Sequence, residues 1–188
     1  MRNLHRLLLI VIVGLIATFT SCGGDDAPAA ATACTGTGCT CAAENACTCT
    51  AGTDCNATCG AASCTVICET AAKCNGTSTG PITIDCRDSS ECKGQGGDGS
   101  RITCDGSTKC DLKAGAGSIG TCSNSADCKL NLGAGSTVTC NDTSTCDIKC
   151  DGGCAVTCAS TAVCSLGCGA DGAAGITCND GRRVCGAC

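Results

Sequence analysis

Ile102-Thr103-Cys104-Asp105-Gly106-Ser107-Thr108-Lys109-Cys110-Asp111-Leu112-Lys113 returns later in the chain as Val138-Thr139-Cys140-Asn141-Asp142-Thr143-Ser144-Thr145-Cys146-Asp147-Ile148-Lys149. Gly115-Ala116-Gly117-Ser118 and Gly133-Ala134-Gly135-Ser136 close two of the units. Cysteines six residues apart carry the rhythm: Cys68/Cys74, Cys86/Cys92, Cys104/Cys110, Cys122/Cys128, Cys140/Cys146 and Cys158/Cys164, each pair displaced from the last by the same step without slippage. Cys49/Cys55 precedes them irregularly, and Cys178/Cys185 follows with relaxed spacing.

Alternation inside one unit gives its geometry. Ile102 and Cys104 point inward with Thr103 outward; Cys110, Leu112 and Ala114 point inward with Asp111 and Lys113 outward. Period-two patterning in short runs separated by Gly-rich turns specifies strands. An 18-residue unit is too short for a helix pair and suits one coil of a solenoid. The predicted fold is therefore all-β, a disulfide-rich β-solenoid (β-helix) of about 18-residue coils. Seven or eight coils stacked at about 4.8 Å give a rod of roughly 35 Å. The expected inward columns are Ile84, Ile102, Val138, Val156 and Ile176 on one side, and Leu112, Leu130, Ile148 and Leu166 on the other.

Composition supports a cross-linked fold. The chain of 188 residues has 27 Cys, and from Cys22 onward it has no His, Met or aromatic residue. So few large side chains cannot build an ordinary core, because the stabilisation from burial scales with area. Disulfides offset the ordering entropy instead, at roughly 2–4 kcal/mol each. Local pairing within each six-residue step is the most economical connectivity. Cys59/Cys64, Cys150/Cys154, Cys34/Cys39, Cys41/Cys47 and Cys168 with Cys188 complete it. Stacked columns also bring like cysteines of adjacent coils within bridging distance, so ladders between coils stay open.

The first residues read as an export signal. Arg2, His5 and Arg6 are basic, and Leu7–Ile16 is an apolar run too short to span a membrane. Phe19-Thr20-Ser21-Cys22 resembles a bacterial lipobox, which implies lipidation of Cys22 and a membrane held through that anchor. An ordinary signal peptide with Cys22 a plain thiol is the alternative. Setting Cys22 aside leaves an even 26 cysteines. The expected organisation is a signal peptide (1–21), lipidated Cys22 with a flexible tether (22–33), irregular cysteine-rich coils (34–67), and the solenoid with an irregular C-terminal cap (68–188).

The unit Thr-Cys-x-x-Ser-x-x-Cys resembles the repeat of the disulfide-rich beetle antifreeze β-helix proteins, on Thr103-Cys104, Ser107 and Cys110, and on Thr121-Cys122, Ser125 and Cys128. Thr139-Cys140, Thr143 and Cys146, then Thr157-Cys158, Thr161 and Cys164, follow conservatively. The resemblance implies one bridge within each coil and a mid-loop Ser bonded inside it. It also implies a surface-binding Thr column, here Thr103, Thr121, Thr139, Thr157 and Thr177. The family carries Thr on both sides of the first cysteine; here the second side is Asp105, Ser123, Asn141, Ala159 or Asn179.

Other chemistries fare less well. Without His there is no histidine-dependent triad or imidazole ligand, and without Trp or Tyr no stacking platform. Ten Lys and Arg against seventeen Asp and Glu from Cys22 onward disfavour nucleic acid. Cys39-Thr40-Cys41 and Cys47-Thr48-Cys49 have metallothionein-like spacing, but disulfides are the expected state in an exported chain. Gly96-Gly97-Asp98-Gly99 and Gly169-Ala170-Asp171-Gly172 resemble calcium-binding β-roll turns without the full nonapeptide. Asp111 and Asp147 are separated by Lys129, the pattern of a solvated face rather than a paired-carboxylate site. No catalytic residue, metal site or cofactor is expected. The functional expectation is a non-enzymatic cell-envelope lipoprotein, lipid-anchored at the outer membrane or cell surface, with a structural or adhesive role toward an envelope or extracellular partner. An ice- or ordered-surface binder and a metal-thiolate protein are the alternatives.

Overall fold

The computed structural model describes residues 32–43, 45–60 and 62–188. The signal segment and Cys22 lie outside the described residues. All the regular structure described is β, in two sheets that run the length of a solenoid of about seven coils.

One sheet, the charged sheet, contains the parallel strands Asp54–Cys59, Lys73–Ser78, Glu91–Gln95, Lys109–Ala114, Asp127–Leu132, Thr145–Cys150 and Val163–Cys168. The other, the threonine sheet, contains Ala46–Cys49, Cys64–Cys68, Ile82–Cys86, Arg101–Cys104, Ile119–Cys122, Thr137–Cys140 and Ala155–Cys158. Parallel stacking thus extends N-terminal to residue 68. Register is strict: Cys110 pairs with Cys128 and Leu112 with Leu130, while Thr121 pairs with Thr139 and Cys122 with Cys140. Even periodicity forces this, since a slip of one residue would turn every inward side chain to water.

Each coil has two corners. At the first, Cys104 ends one strand and Cys110 is the second residue of the next, and a disulfide joins them with Cα atoms 6.6 Å apart. The same bridge closes the coils at Cys68–Cys74, Cys86–Cys92, Cys122–Cys128, Cys140–Cys146 and Cys158–Cys164. The left-handed position of this corner is filled by Gly106, Asn124 and Asp142, the residue types that tolerate it. At the second corner Gly99, Gly117, Gly135 and Gly153 all have φ between +61° and +72°.

Between the sheets lies a thin core of sulfur on one side and aliphatic side chains on the other. Ile84, Ile102, Val138 and Val156 face Leu112, Leu130, Ile148 and Leu166, all buried. Where one column is short the other is long. Gly76 takes a place in the Leu column opposite Ile82 and Ile84, whose Cδ1 atoms stand 3.3 and 3.4 Å from where its Cβ would be. Gly120 interrupts the Ile column, and a Cβ there would meet Leu130 Cδ1 at 2.9 Å. Such compensation keeps the interior filled without large residues.

Both ends depart from the rhythm. At the start, Ala33–Gly36 runs antiparallel to Asp54–Cys59, and Cys39–Ala43 antiparallel to Ala46–Cys49. At the finish, Ala173–Ala174 runs antiparallel to Val163–Cys168, and Arg183–Val184 antiparallel to Ala155–Cys158. Ile176 is consequently not an inward column member: it lies on the outlying strand Ile176–Thr177 and is 56% exposed. The expected Cys168–Cys188 bridge is also replaced. Cys168 joins Cys185 and Cys178 joins Cys188, because the reversed strand ending at Val184 carries Cys185 back to the last coil.

Candidate functional surfaces

Outward residues of the threonine sheet form two columns. One runs Ile67, Asp85, Thr103, Thr121, Thr139 and Thr157, each the direct cross-strand partner of the next. The other runs Thr65, Thr83, Arg101, Ile119, Thr137 and Ala155. From Ile119 to Thr157 the face carries no charge. β-Branched side chains suit such a pleated surface whatever their further use. Asp85 interrupts the Thr column, but Arg87 Nε donates to its carboxylate at 2.9 Å. That hydrogen bond, together with the charge of Asp85, pushes the Arg87 guanidinium further above its ordinary range. Thr177 does not belong to the column. It pairs with Arg183, and Arg183 is what pairs with Val156 of the last threonine-sheet coil.

The opposite sheet is saturated with charge. Its first outward column reads Asp54, Lys73, Glu91, Lys109, Asp127, alternating in sign at every coil. Its second reads Lys93, Asp111, Lys129, Asp147, alternating in the opposite phase. Where the two run side by side they make a checkerboard, with opposite charges along each column and across it. Parallel in-register stacking would otherwise set like charges directly opposite, which is destabilising. Lys93 Nζ lies 3.1 Å from Glu91 Oε1. That hydrogen bond, reinforced by the Lys93 charge and by Lys73 and Lys109, holds the Glu91 carboxyl below its ordinary range. Asp111 and Asp147 therefore stand in the lattice with Lys129 between them, and not as a carboxylate pair.

Of the hydroxyls the resemblance implies, Thr161 donates to Asp142 O of the preceding coil, and none is buried. Ser107, Ser125, Thr143 and Thr161 are exposed, and Ser125 meets Thr143 of the next coil at 3.0 Å. Buried hydroxyls line both corners: Ser78, Ser100, Ser118 and Ser136 at the glycine corner, and Ser90, Thr108 and Ser144 beside the cysteines. Ser118 Oγ donates to Gly115 O at 2.7 Å and accepts from Ser100 N at 3.2 Å; Ser136 repeats this toward Gly133 O and Ser118 N. Cys150–Cys154 and Cys59–Cys64 staple the same corner covalently in two other coils. The signal was in the alternation: Ser118, Gly120 and Cys122 share one parity.

Thiolate and calcium chemistry meet specific obstacles. Three sulfurs, those of Cys86, Cys104 and Cys110, lie within 4.8 Å of one another, and other coils repeat the triad. All 26 cysteines among the described residues are nevertheless joined in 13 disulfides. In the first glycine-aspartate turn, Asp98 Oδ1 accepts from Ala116 N at 2.7 Å, so the carboxylate serves the stacking of coils. Asp171, in the second, is exposed in the C-terminal turn. An open groove of about 630 Å³ follows the glycine corner beside Lys113, Asn131 and Lys149.

Comparison of the chain with protein-family models, with curated proteins and with solved structures finds no match.

Proposed function

We propose that the chain is a non-enzymatic envelope lipoprotein, a rigid rod held to a membrane by lipid on Cys22, whose threonine sheet meets an ordered surface in a structural or adhesive role. The observation that carries the reading is the contrast between the two faces. Ile119, Thr121, Thr137, Thr139, Ala155 and Thr157 form a flat uncharged strip, while the other sheet carries a lattice of both signs. A solvated lattice keeps one side in water and leaves the strip as the side available to contact. Fixed outward spacing across coils suits a partner that is itself periodic.

The test has two arms. The Cys22→Ser variant in the native host should lose incorporation of labelled fatty acid and leave the membrane fraction; retention of both contradicts the anchor. Thr121→Lys with Thr139→Lys should weaken adsorption to isolated envelope at least tenfold, while Lys93→Ala with Lys129→Ala should not. Equal loss in both pairs, or none in either, contradicts the threonine face as the contact.

A second reading, binding to ice or another crystalline surface, is favoured by one feature. Thr137 and Thr139 stand outward on the same strand, so one coil presents a Thr pair, with Ile119 and Ala155 beside Thr137 in its column. Inhibition of ice recrystallisation by the wild-type chain, abolished by Thr139→Lys, would select it; no inhibition removes it.

A further inference from the structure

We infer that the stacked bridges form a thiol–disulfide relay, in which a thiol produced at one end of the ladder by a small thiolate or dithiol reductant travels from coil to coil. The ladder comprises Cys68–Cys74 through Cys158–Cys164, one bridge per coil. Its interior is closed to solvent: Cys86, Cys92, Cys104, Cys122, Cys128 and Cys140 have zero exposure. Cys158 and Cys164, at the C-terminal end, are partly exposed. Along the first column, Cys68 lies within 4.8 Å of both sulfurs of the next bridge, as do Cys86 and Cys104 of theirs. Exchange requires a thiolate beside a disulfide sulfur, and the first column provides that contact from Cys68 to Cys122.

Geometry also selects which bonds can form. Cys140 and Cys158 are direct cross-strand partners, as are Cys128 and Cys146, and partners on adjacent strands are about 4.8 Å apart, inside the Cα range of a disulfide. Diagonal partners such as Cys158 and Cys146 combine that rise with the 6.6 Å span of the corner, beyond what a bridge tolerates without backbone movement. A thiolate on Cys158 therefore attacks Cys140: the Cys140–Cys158 bond forms, the Cys140–Cys146 bond breaks, and Cys146 leaves as thiolate. Cys146 then attacks Cys128 and releases Cys122, and Cys122 attacks Cys104 and releases Cys110. Cys110 attacks Cys92 and releases Cys86, which attacks Cys68 and releases Cys74. Each step exchanges one disulfide for another, with no net oxidation. The first thiol comes from the external thiolate, which bonds to Cys164 and displaces Cys158.

The Cys164→Ser variant of the full chain, with Cys22 blocked by lipid or prior alkylation, starts the relay at Cys158. It is held without oxygen at pH 7 or 8.5, acidified, denatured with an acid-active maleimide and mapped by mass spectrometry. The label is expected on Cys146, Cys122, Cys110, Cys86 and Cys74 as well as Cys158, with new bridges between equivalent cysteines of adjacent coils. It should be absent from Cys140, Cys128, Cys104, Cys92 and Cys68. Spreading should accelerate about tenfold per pH unit, because the reactive species is the thiolate. A label that stays on Cys158 at both pH values, or one scattered over all cysteines, overturns the relay. Should the variant not fold, the native chain is treated with less than one equivalent of a phosphine, which becomes its oxide as one bridge becomes two thiols. Two labels drawn from different bridges then support the relay, and two always from the same bridge overturn it.

Discussion

Ser118 shows how much a small residue contributes in a core this thin. Its hydroxyl satisfies a carbonyl of its own coil and an amide of the previous one, so Ser118→Ala leaves the buried Ser100 amide without that acceptor. Such an orphan costs roughly 1–3 kcal/mol, and exchange of the Ser100 amide with deuterium should accelerate on the order of 10–100-fold. Ser107→Ala, on an exposed hydroxyl, should leave exchange unchanged. Gly117→Ala tests the corner differently. Nothing lies within 4 Å of the added methyl, so its cost is that of the left-handed backbone alone, about 1 kcal/mol. Charge at this scale is read by pH. The Glu91 and Asp180 carboxyls are both held down, by Lys93 and by Arg182, so carbon-detected NMR should show them titrating below the ordinary carboxylate range. Whatever stability these pairs add is present above the unfolded carboxylate range and is lost as pH falls through the lowered folded values. Lys93→Ala should return Glu91 upward. Inward and outward positions were legible in the sequence because alternation sets them. The likeness to a shorter repeat points to Ser107, whereas the buried hydroxyl of that corner is its neighbour Thr108 and the one with backbone partners is Ser118 of the glycine corner.

Among strands, the checkerboard carries a period of two coils laid over a structural period of one. Lys109→Asp would place a carboxylate between Glu91 and Asp127 on the neighbouring strands. The variant should be less stable by about 0.5–1 kcal/mol in low salt and recover in 0.5 M salt, since exposed pairs are weak and screened. Amide exchange of Glu91–Gln95 and Asp127–Leu132 reads both. The coil spacing was legible in the sequence because the cysteines never slip. The steps from Thr157 to Thr177 and from Cys158 to Cys178 are both longer than the repeat, and that drift marks where the chain leaves the stack. Alternation alone places Ile176 and Thr177 in the columns, but the turn after Cys178 reverses the chain and Arg183–Val184 takes the place beside the last coil. The pairing of Cys168 with Cys185 depends on that reversal and has no local signature.

For the molecule as a whole, covalent closure replaces the hydrophobic core that its composition denies it. Alkylation of the denatured chain should add nothing to the 26 described cysteines before reduction and 26 groups after it, read by intact mass. Full reduction should unfold the rod, seen as loss of its β circular dichroism, because an interior of Cys, Ala, Gly, Val, Ile and Leu buries too little area to hold alone. The two ends add a different property. A parallel stack displays a row of unpaired amides and carbonyls at each terminus, an invitation for another copy to continue it. Here reversed strands, Cys39–Ala43 at one end and Arg183–Val184 at the other, occupy those rows with the opposite polarity. They act as stop signs written into the polymerisation chemistry of β-structure. A rod built from units that could repeat without limit is given a finite length, and a chain shortened before Ala173 should grow into filaments visible by electron microscopy.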